Sequence, residues 1–230
     1  MPERSLHPLR VVDGMDLDSD YRAILHPGEL MEGRDGRRRR LPRWFFEVPS
    51  WEAALETDLS PHFKVWEFLN VDVREHQLQR MHWPRYLPLA VGLLATTLEV
   101  LRQKVDTYVH IAANGGYRSP AHRLSHLAGP HVWGTAANIY RIGDDWLDDE
   151  RTITRYSRLV RGLSPAVWVR PYGQGVGETD DHLHLDVGFA VVAPHTGGDE
   201  RDAPEPPARG RKREAAKAEP QRGETETDEG

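Results

Sequence analysis

The chain has no cysteine. That absence excludes disulfide staples, thiolate metal sites, iron–sulfur clusters and a cysteine nucleophile. It does not fix the compartment, because a large core needs no disulfide anywhere. A long apolar run is missing too. The longest, Leu87 to Ala95, is interrupted by Pro88 and Gly92 and is too short to span a bilayer. Met1 to Asp20 hold no continuous apolar segment of the kind a secretory leader needs, so the expected location is cytoplasmic, with export by another route the alternative. An excess of positive charge is also lacking. The 30 basic residues face 36 acidic ones, a net charge of -6, which argues against a globally basic nucleic-acid binder. A transition-metal site must therefore draw on His, Asp, Glu or Asn, and 12 histidines are present. At 230 residues, 38% of them hydrophobic, the chain has enough material for one sizeable core and no more than two domains.

Three regions are expected. Residues 196–230 contain no Val, Ile, Leu, Met or aromatic residue, and their 10 acidic and 7 basic side chains are mixed with Pro, Gly and Ala. Such a segment buries too little apolar surface to offset its ordering entropy and is expected to be a disordered tail. Residues 1–45 read as an irregular basic arm in which Arg34, Arg37, Arg38, Arg39, Arg40 and Arg43 cluster. The cluster is either a solvated loop or a contact for an anionic polymer. Residues 46–195 read as one globular domain. Within it the apolar positions Leu87, Val91, Leu94, Leu98, Leu101 and Val105 are spaced 4, 3, 4, 3 and 4, one face of a helix over Leu87 to Val105. A short helix is expected at Val65 to Leu69 and a second amphipathic one at Arg151 to Leu163. Strands are expected at Thr107 to Ala113, Ala166 to Val169 and His182 to Phe189. The mixed order predicts an α+β fold, a small antiparallel sheet with flanking helices.

Three segments could carry chemistry. The first is Asp181-His182-Leu183-His184-Leu185-Asp186. On a strand, His182, His184 and Asp186 share one face, an arrangement that suits metal ligands and equally suits the wet face of an antiparallel strand. The second is His131-Val132-Trp133-Gly134-Thr135-Ala136-Ala137-Asn138, and the third is Gly115-Gly116-Tyr117-Arg118-Ser119-Pro120. Elsewhere, His122 and His126 are spaced i,i+4, which fits either a metal pair or two polar residues on a short helix. Asp144, Asp145, Asp148, Asp149 and Glu150 read as the acidic start of the following helix. Trp133, Trp168 and Tyr172 suit a groove or a core.

Taken in order, these segments resemble the zinc D-Ala-D-Ala carboxypeptidase family of the LAS metallopeptidase group. The resemblance runs from about Leu59-Ser60-Pro61-His62-Phe63 to Phe189. It implies a hedgehog/DD-peptidase-like fold and a zinc ion held by His131, His184 and the residue at position 138. It implies that Asp181 acts as general base and then acid, and that Arg118 holds substrate or a developing oxyanion. The implied reaction is hydrolysis of an amide bond in a peptidoglycan-type peptide, by carboxypeptidase or endopeptidase action. One residue departs from the pattern. Asn138 stands where the family carries an Asp ligand, so the donor set has one negative charge fewer. The alternative expectation is therefore a non-catalytic binding module on the same fold, a possible pseudoenzyme. An interaction protein working through its basic arm is the more distant one.

Overall fold

In the computed structural model, residues 9–33, 35–125, 129–174 and 180–194 are described, and all of them belong to one unit, Met1–Pro194. The expectation of a disordered tail at 196–230 falls outside the described residues.

The N-terminal region is not the irregular arm that its composition suggests. Strand β1 (Arg10–Asp13) is followed by helix α1 (Ser19–Leu25), a hairpin of β2 (Leu30–Glu32) and β3 (Arg38–Arg40), and strand β4 (Trp44–Val48). β1 pairs antiparallel with β4, with Val12 opposite Phe45, and Val12, Phe45, Ile24 and Leu25 join the main core. The arginine cluster is largely paired. Arg39 grips Asp35 with two bonds of 2.8 and 2.6 Å, Arg43 binds Asp13, and Arg40 donates to the Gly28 carbonyl at 2.6 Å. The hairpin also covers Trp133, whose indole N–H donates to the Arg40 carbonyl at 2.8 Å.

Helix α2 (Trp51–Glu56) is capped by Ser50 and leads into a hairpin of β5 (Asp58–Ser60) and β6 (Phe63–Lys64). Helix α3 (Val65–Leu69) covers the residues expected of it, and Glu67 accepts from the Lys64 N–H at 2.8 Å to secure its first turn. Helix α4 (Gln77–Met81) precedes β7 (Arg85–Pro88), which pairs with β4 to complete a sheet ordered β1-β4-β7. The helix predicted from Leu87 therefore starts later, as α5 (Val91–Val105). Leu87 precedes a proline, which disfavours its α conformation, and the buried backbone at 85–88 finds its partners in β4 instead.

The second sheet carries the site. It is built from β8 (Val109–Ile111), β9 (Ala136–Ile142), β10 (Asp145–Trp146), β11 (Trp168–Val169) and β12 (Leu183–Asp186), ordered β10-β9-β12-β11 with β8 also on β9. Its inner face, Ala137, Ile139, Leu183 and Leu185, is fully buried. α5 packs against β9, and α6 (Glu150–Arg161) packs against β11 and β12. Among the described residues the architecture is thus mixed helix and strand, with small antiparallel sheets and six α-helices. No described helix is long and apolar enough to cross a membrane.

The acidic run before α6 works as a cap. The Asp149 carboxylate accepts from the Thr152 N–H at 3.0 Å and from its hydroxyl at 2.6 Å. Asp145 is held by Arg155 and by the Tyr156 hydroxyl. Asp149→Ala is expected to cost about 1 kcal/mol, as cap losses do. Thermal unfolding should register it as a drop of roughly 2–4 °C in Tm.

Candidate functional site

The site begins where β8 ends. Asn114 takes a left-handed conformation (φ 58°), and its side-chain oxygen accepts from the Asp72 N–H at 3.1 Å. The two glycines that follow pass too close to other backbone for a side chain. A Cβ on Gly115 would lie 2.6 Å from the Ala112 carbonyl oxygen and 2.8 Å from that of Asn138. A Cβ on Gly116 would lie 2.6 Å from the Phe68 Cα. The segment is stitched in on both sides: Asn138 N–H donates to the Gly115 carbonyl at 2.8 Å, and Tyr117 N–H to the Phe68 carbonyl at 2.9 Å. Buried Glu75 secures the next residue, accepting from the Ser119 hydroxyl at 2.5 Å and its N–H at 3.0 Å.

His131 sits in a 3-10 turn, Pro130–Trp133, closed by Gly134 with φ 71°. Its Nδ1 lies 2.8 Å from the Gly116 carbonyl oxygen. A carbonyl only accepts, so Nδ1 carries the proton and Nε2 keeps its lone pair. The ring is buried, and burial, followed by the Arg118 and His184 charges, pushes its pKa well below the usual imidazole value. It is a neutral imidazole with one nitrogen fixed as a donor, the state in which a histidine binds a metal.

Strands β9 and β12 bring the other two residues together. Asn138 and His184 are directly opposite in the antiparallel register. The Asn138 side-chain oxygen is 2.8 Å from His184 Nδ1, and the His131 and His184 ring centroids are 5.1 Å apart. His184 Nε2 faces Asp186 at 3.3 Å, and Asp186 also accepts from the Gly188 N–H at 2.9 Å. The half-exposed Trp168 packs edge-on against His184 with centroids 5.6 Å apart. Trp133, by contrast, is fully buried and belongs to a core.

Arg118 and Asp181 flank this trio. Arg118 donates its backbone N–H to the His131 carbonyl at 3.3 Å and its Nε–H to the Asn114 carbonyl at 2.6 Å. Asp181 occupies the bend ahead of β12, with one carboxylate oxygen 2.7 Å from His182 Nδ1. Arg170 meets the opposite ring nitrogen of His182 at 3.1 Å. A guanidinium only donates, so His182 accepts from Arg170 at Nε2 and donates from Nδ1 to Asp181. His131, Asn138 and His184 thus meet in one place, while the Asp181 carboxylate is engaged by the neighbouring imidazole.

The donor set suits a metal only if the amide takes part. Among the described residues no three His, Cys, Asp or Glu side chains are grouped to hold an ion. Two imidazoles and the Asn138 oxygen make a three-donor set with no negative charge of its own. In one tautomer Asp186 accepts from His184 Nε2–H and leaves Nδ1 to ligate; in the other Nδ1–H donates to the Asn138 oxygen. The acidic residues nearest Asn138 along the chain, Asp144 and Asp145, lie past the far end of β9, and Asp145 is bound to Tyr156.

His122 is also explained. It is buried, its Nε2 donates to the Asn114 side-chain oxygen at 3.0 Å, and its Nδ1 accepts from the Leu124 N–H at 3.0 Å. Both nitrogens are engaged, so it supplies no ligand, and its i,i+4 partner His126 lies outside the described residues. Burial first, then the Arg118 charge, lowers its pKa to about 4. The fold therefore favours neutral His122, and that contribution is complete above the unfolded-state pKa of about 6.5. It is lost as pH falls from about 6.5 to about 4, up to roughly 3 kcal/mol. Urea midpoints should fall across this window, and His122→Gln should flatten the fall.

Sequence reasoning missed Glu75 and the Asn114 side chain. Asn114 lies 42 residues from the Asp72 N–H that it accepts from, and Glu75 lies 44 residues from the serine it holds. Comparison with protein-family models, with curated proteins and with solved structures gave no match.

Proposed function

We propose that this chain is a zinc-dependent peptidase of the hedgehog/DD-peptidase-like fold, hydrolysing an amide bond in a peptidoglycan-type peptide. The observation that carries the reading is the cross-strand pairing of Asn138 with His184, with the neutral His131 ring beside them. His131 would offer Nε2, His184 would offer Nδ1, and Asn138 its side-chain oxygen. When bound, zinc supplies Lewis acidity that polarises a carbonyl and eases the deprotonation of water.

The remaining roles belong to the chain. Gly116 and Asp186 hold the two imidazoles in their tautomers through the hydrogen bonds described above. Asp181 takes a proton from water and returns it to the leaving amine. His182, donating to Asp181, orients that carboxylate. Arg118 adds a fixed positive charge beside the His131 turn, where a developing oxyanion would be stabilised.

Purified full-length protein reconstituted with zinc is expected to hold one ion per chain, and His131→Ala or His184→Ala to lose it. Asp181→Asn should keep the metal and lose at least about 100-fold in turnover of a stem peptide ending in D-amino acids. Absence of zinc after reconstitution sinks the metal reading, and unchanged turnover removes Asp181 from the mechanism. One observation favours the second reading, a non-catalytic binding module. With its proton on Nδ1, His184 donates to the Asn138 oxygen, so the two candidate ligands satisfy each other without an ion.

A further inference from the structure

The outer face of the second sheet continues past the candidate site as a row of rings. Strand β9 carries a bulge: Ile111 faces Ile139 and His110 faces Arg141, which leaves Tyr140 as the extra residue. Ile139 and Ile142 are fully buried, so both residues between them, Tyr140 and Arg141, turn to the outer face. Asn138 lies on that same face, two residues before Tyr140.

From Tyr140 the rings follow at nearly even intervals. Trp146 is 5.6 Å from Tyr140, Tyr140 is 5.9 Å from His110, and His110 stacks on Tyr108 at 6.1 Å. The two ends are open: Tyr108 is 68% exposed and Trp146 55%. Arg102 lies over Tyr108 at 4.8 Å, and Arg141 lies over Trp146 at 5.5 Å while donating to His110 at 3.0 Å. Among the described residues neither guanidinium has a carboxylate at ion-pair distance; the Nε of each is buried, which leaves the terminal nitrogens to meet a ligand.

We propose that this row binds a saccharide that carries a carboxylate, at least two sugar units long. The exposed rings at the two ends, Tyr108 and Trp146, offer apolar surface to the C–H faces of sugar rings, which an electron-rich ring face attracts. The ring spacing is comparable to the length of a pyranose. Arg102 and Arg141 supply the charge that a sugar carboxylate needs. Glu67 and Asp144, lining the depressions on either side of His110, can accept from hydroxyls. Those same carboxylates repel a nucleic-acid strand, with a phosphate on every nucleotide, more than a saccharide with one carboxylate per two sugars, which favours the saccharide. The assignment goes beyond the peptidase reading and stands without a metal.

The test is calorimetric titration of the full chain, in chelator, with a peptide-free tetrasaccharide of alternating N-acetylglucosamine and N-acetylmuramic acid. A neutral N-acetylglucosamine tetrasaccharide and a short oligothymidine serve as comparisons. Saturable binding of the acidic sugar is expected, weakened about tenfold in Trp146→Ala and in Tyr108→Ala and restored by Trp146→Phe. Arg141→Gln should abolish the preference over the neutral sugar. Circular dichroism will show whether these surface variants fold. Three results overturn the proposal: no saturable saccharide binding, binding indifferent to both aromatic substitutions, or tighter binding of oligothymidine. Equal affinity of wild type and Arg141→Gln for the acidic sugar overturns the assignment of its carboxylate. Because the titration contains no zinc, its outcome is separate from that of the metal experiments.

Discussion

Asn138→Asp should raise zinc affinity by about 100-fold, or ~3 kcal/mol. The amide oxygen at this position is neutral, and it lies 2.8 Å from His184 Nδ1. A carboxylate there would offset part of the ion's charge in a buried place, where charge compensation counts for more than in water. Competition titration against a chelator of known affinity reads the gain. An unchanged affinity would put residue 138 outside the ligand set.

Gly116→Ala is expected to destabilise the fold by ~3 kcal/mol or more. The added methyl would lie 2.6 Å from the Phe68 Cα and 2.7 Å from its carbonyl oxygen. Phe68 is fully buried in α3, so its backbone has no room to yield. If the glycine segment moves instead, the carbonyl that fixes His131 moves with it, and the site is lost even where the fold survives. Thermal unfolding should show a drop of roughly 6–12 °C for a chain of this size. Gly92→Ala is the contrast: nothing lies within 4 Å of its added methyl, and it sits in the first turn of α5. That substitution should stabilise by up to ~1 kcal/mol. Equal Tm values for Gly116→Ala and wild type would mean that the close approach is not built into the fold.

Some of this was readable in the residues and some was not. Helix α5 announced itself because its spacing of Leu94, Leu98 and Leu101 is enforced by burial of one face. The same spacing hid β7, since Leu87 and Val91 satisfy the helix pattern while Pro88 marks the break between two elements. The N-terminal strands escaped because they are short, and their signal lies in partners far along the chain, Val12 with Phe45 for one. Arg38-Arg39-Arg40 carries no alternation, yet it forms a strand because β2 pairs with it. At the candidate site, the resemblance singled out His131, Asn138 and His184, and the turn at Pro130–Trp133 with β9 and β12 brings the three side chains together. The support beneath them was not. Glu75 and the Asn114 side chain act by hydrogen bonds to residues that no local pattern links to them.

The pairing of β1 with β4 has a practical side. Residue 46 looks like the natural start of a folded domain, but a chain begun there would cut β4 short and leave it without its neighbour β1. It would also lack the hairpin whose Arg40 carbonyl holds the Trp133 indole, two residues from His131. An uncovered strand edge is a template for self-association. Truncation at the apparent boundary would therefore invite aggregation and loosen the turn that carries His131 at the same time.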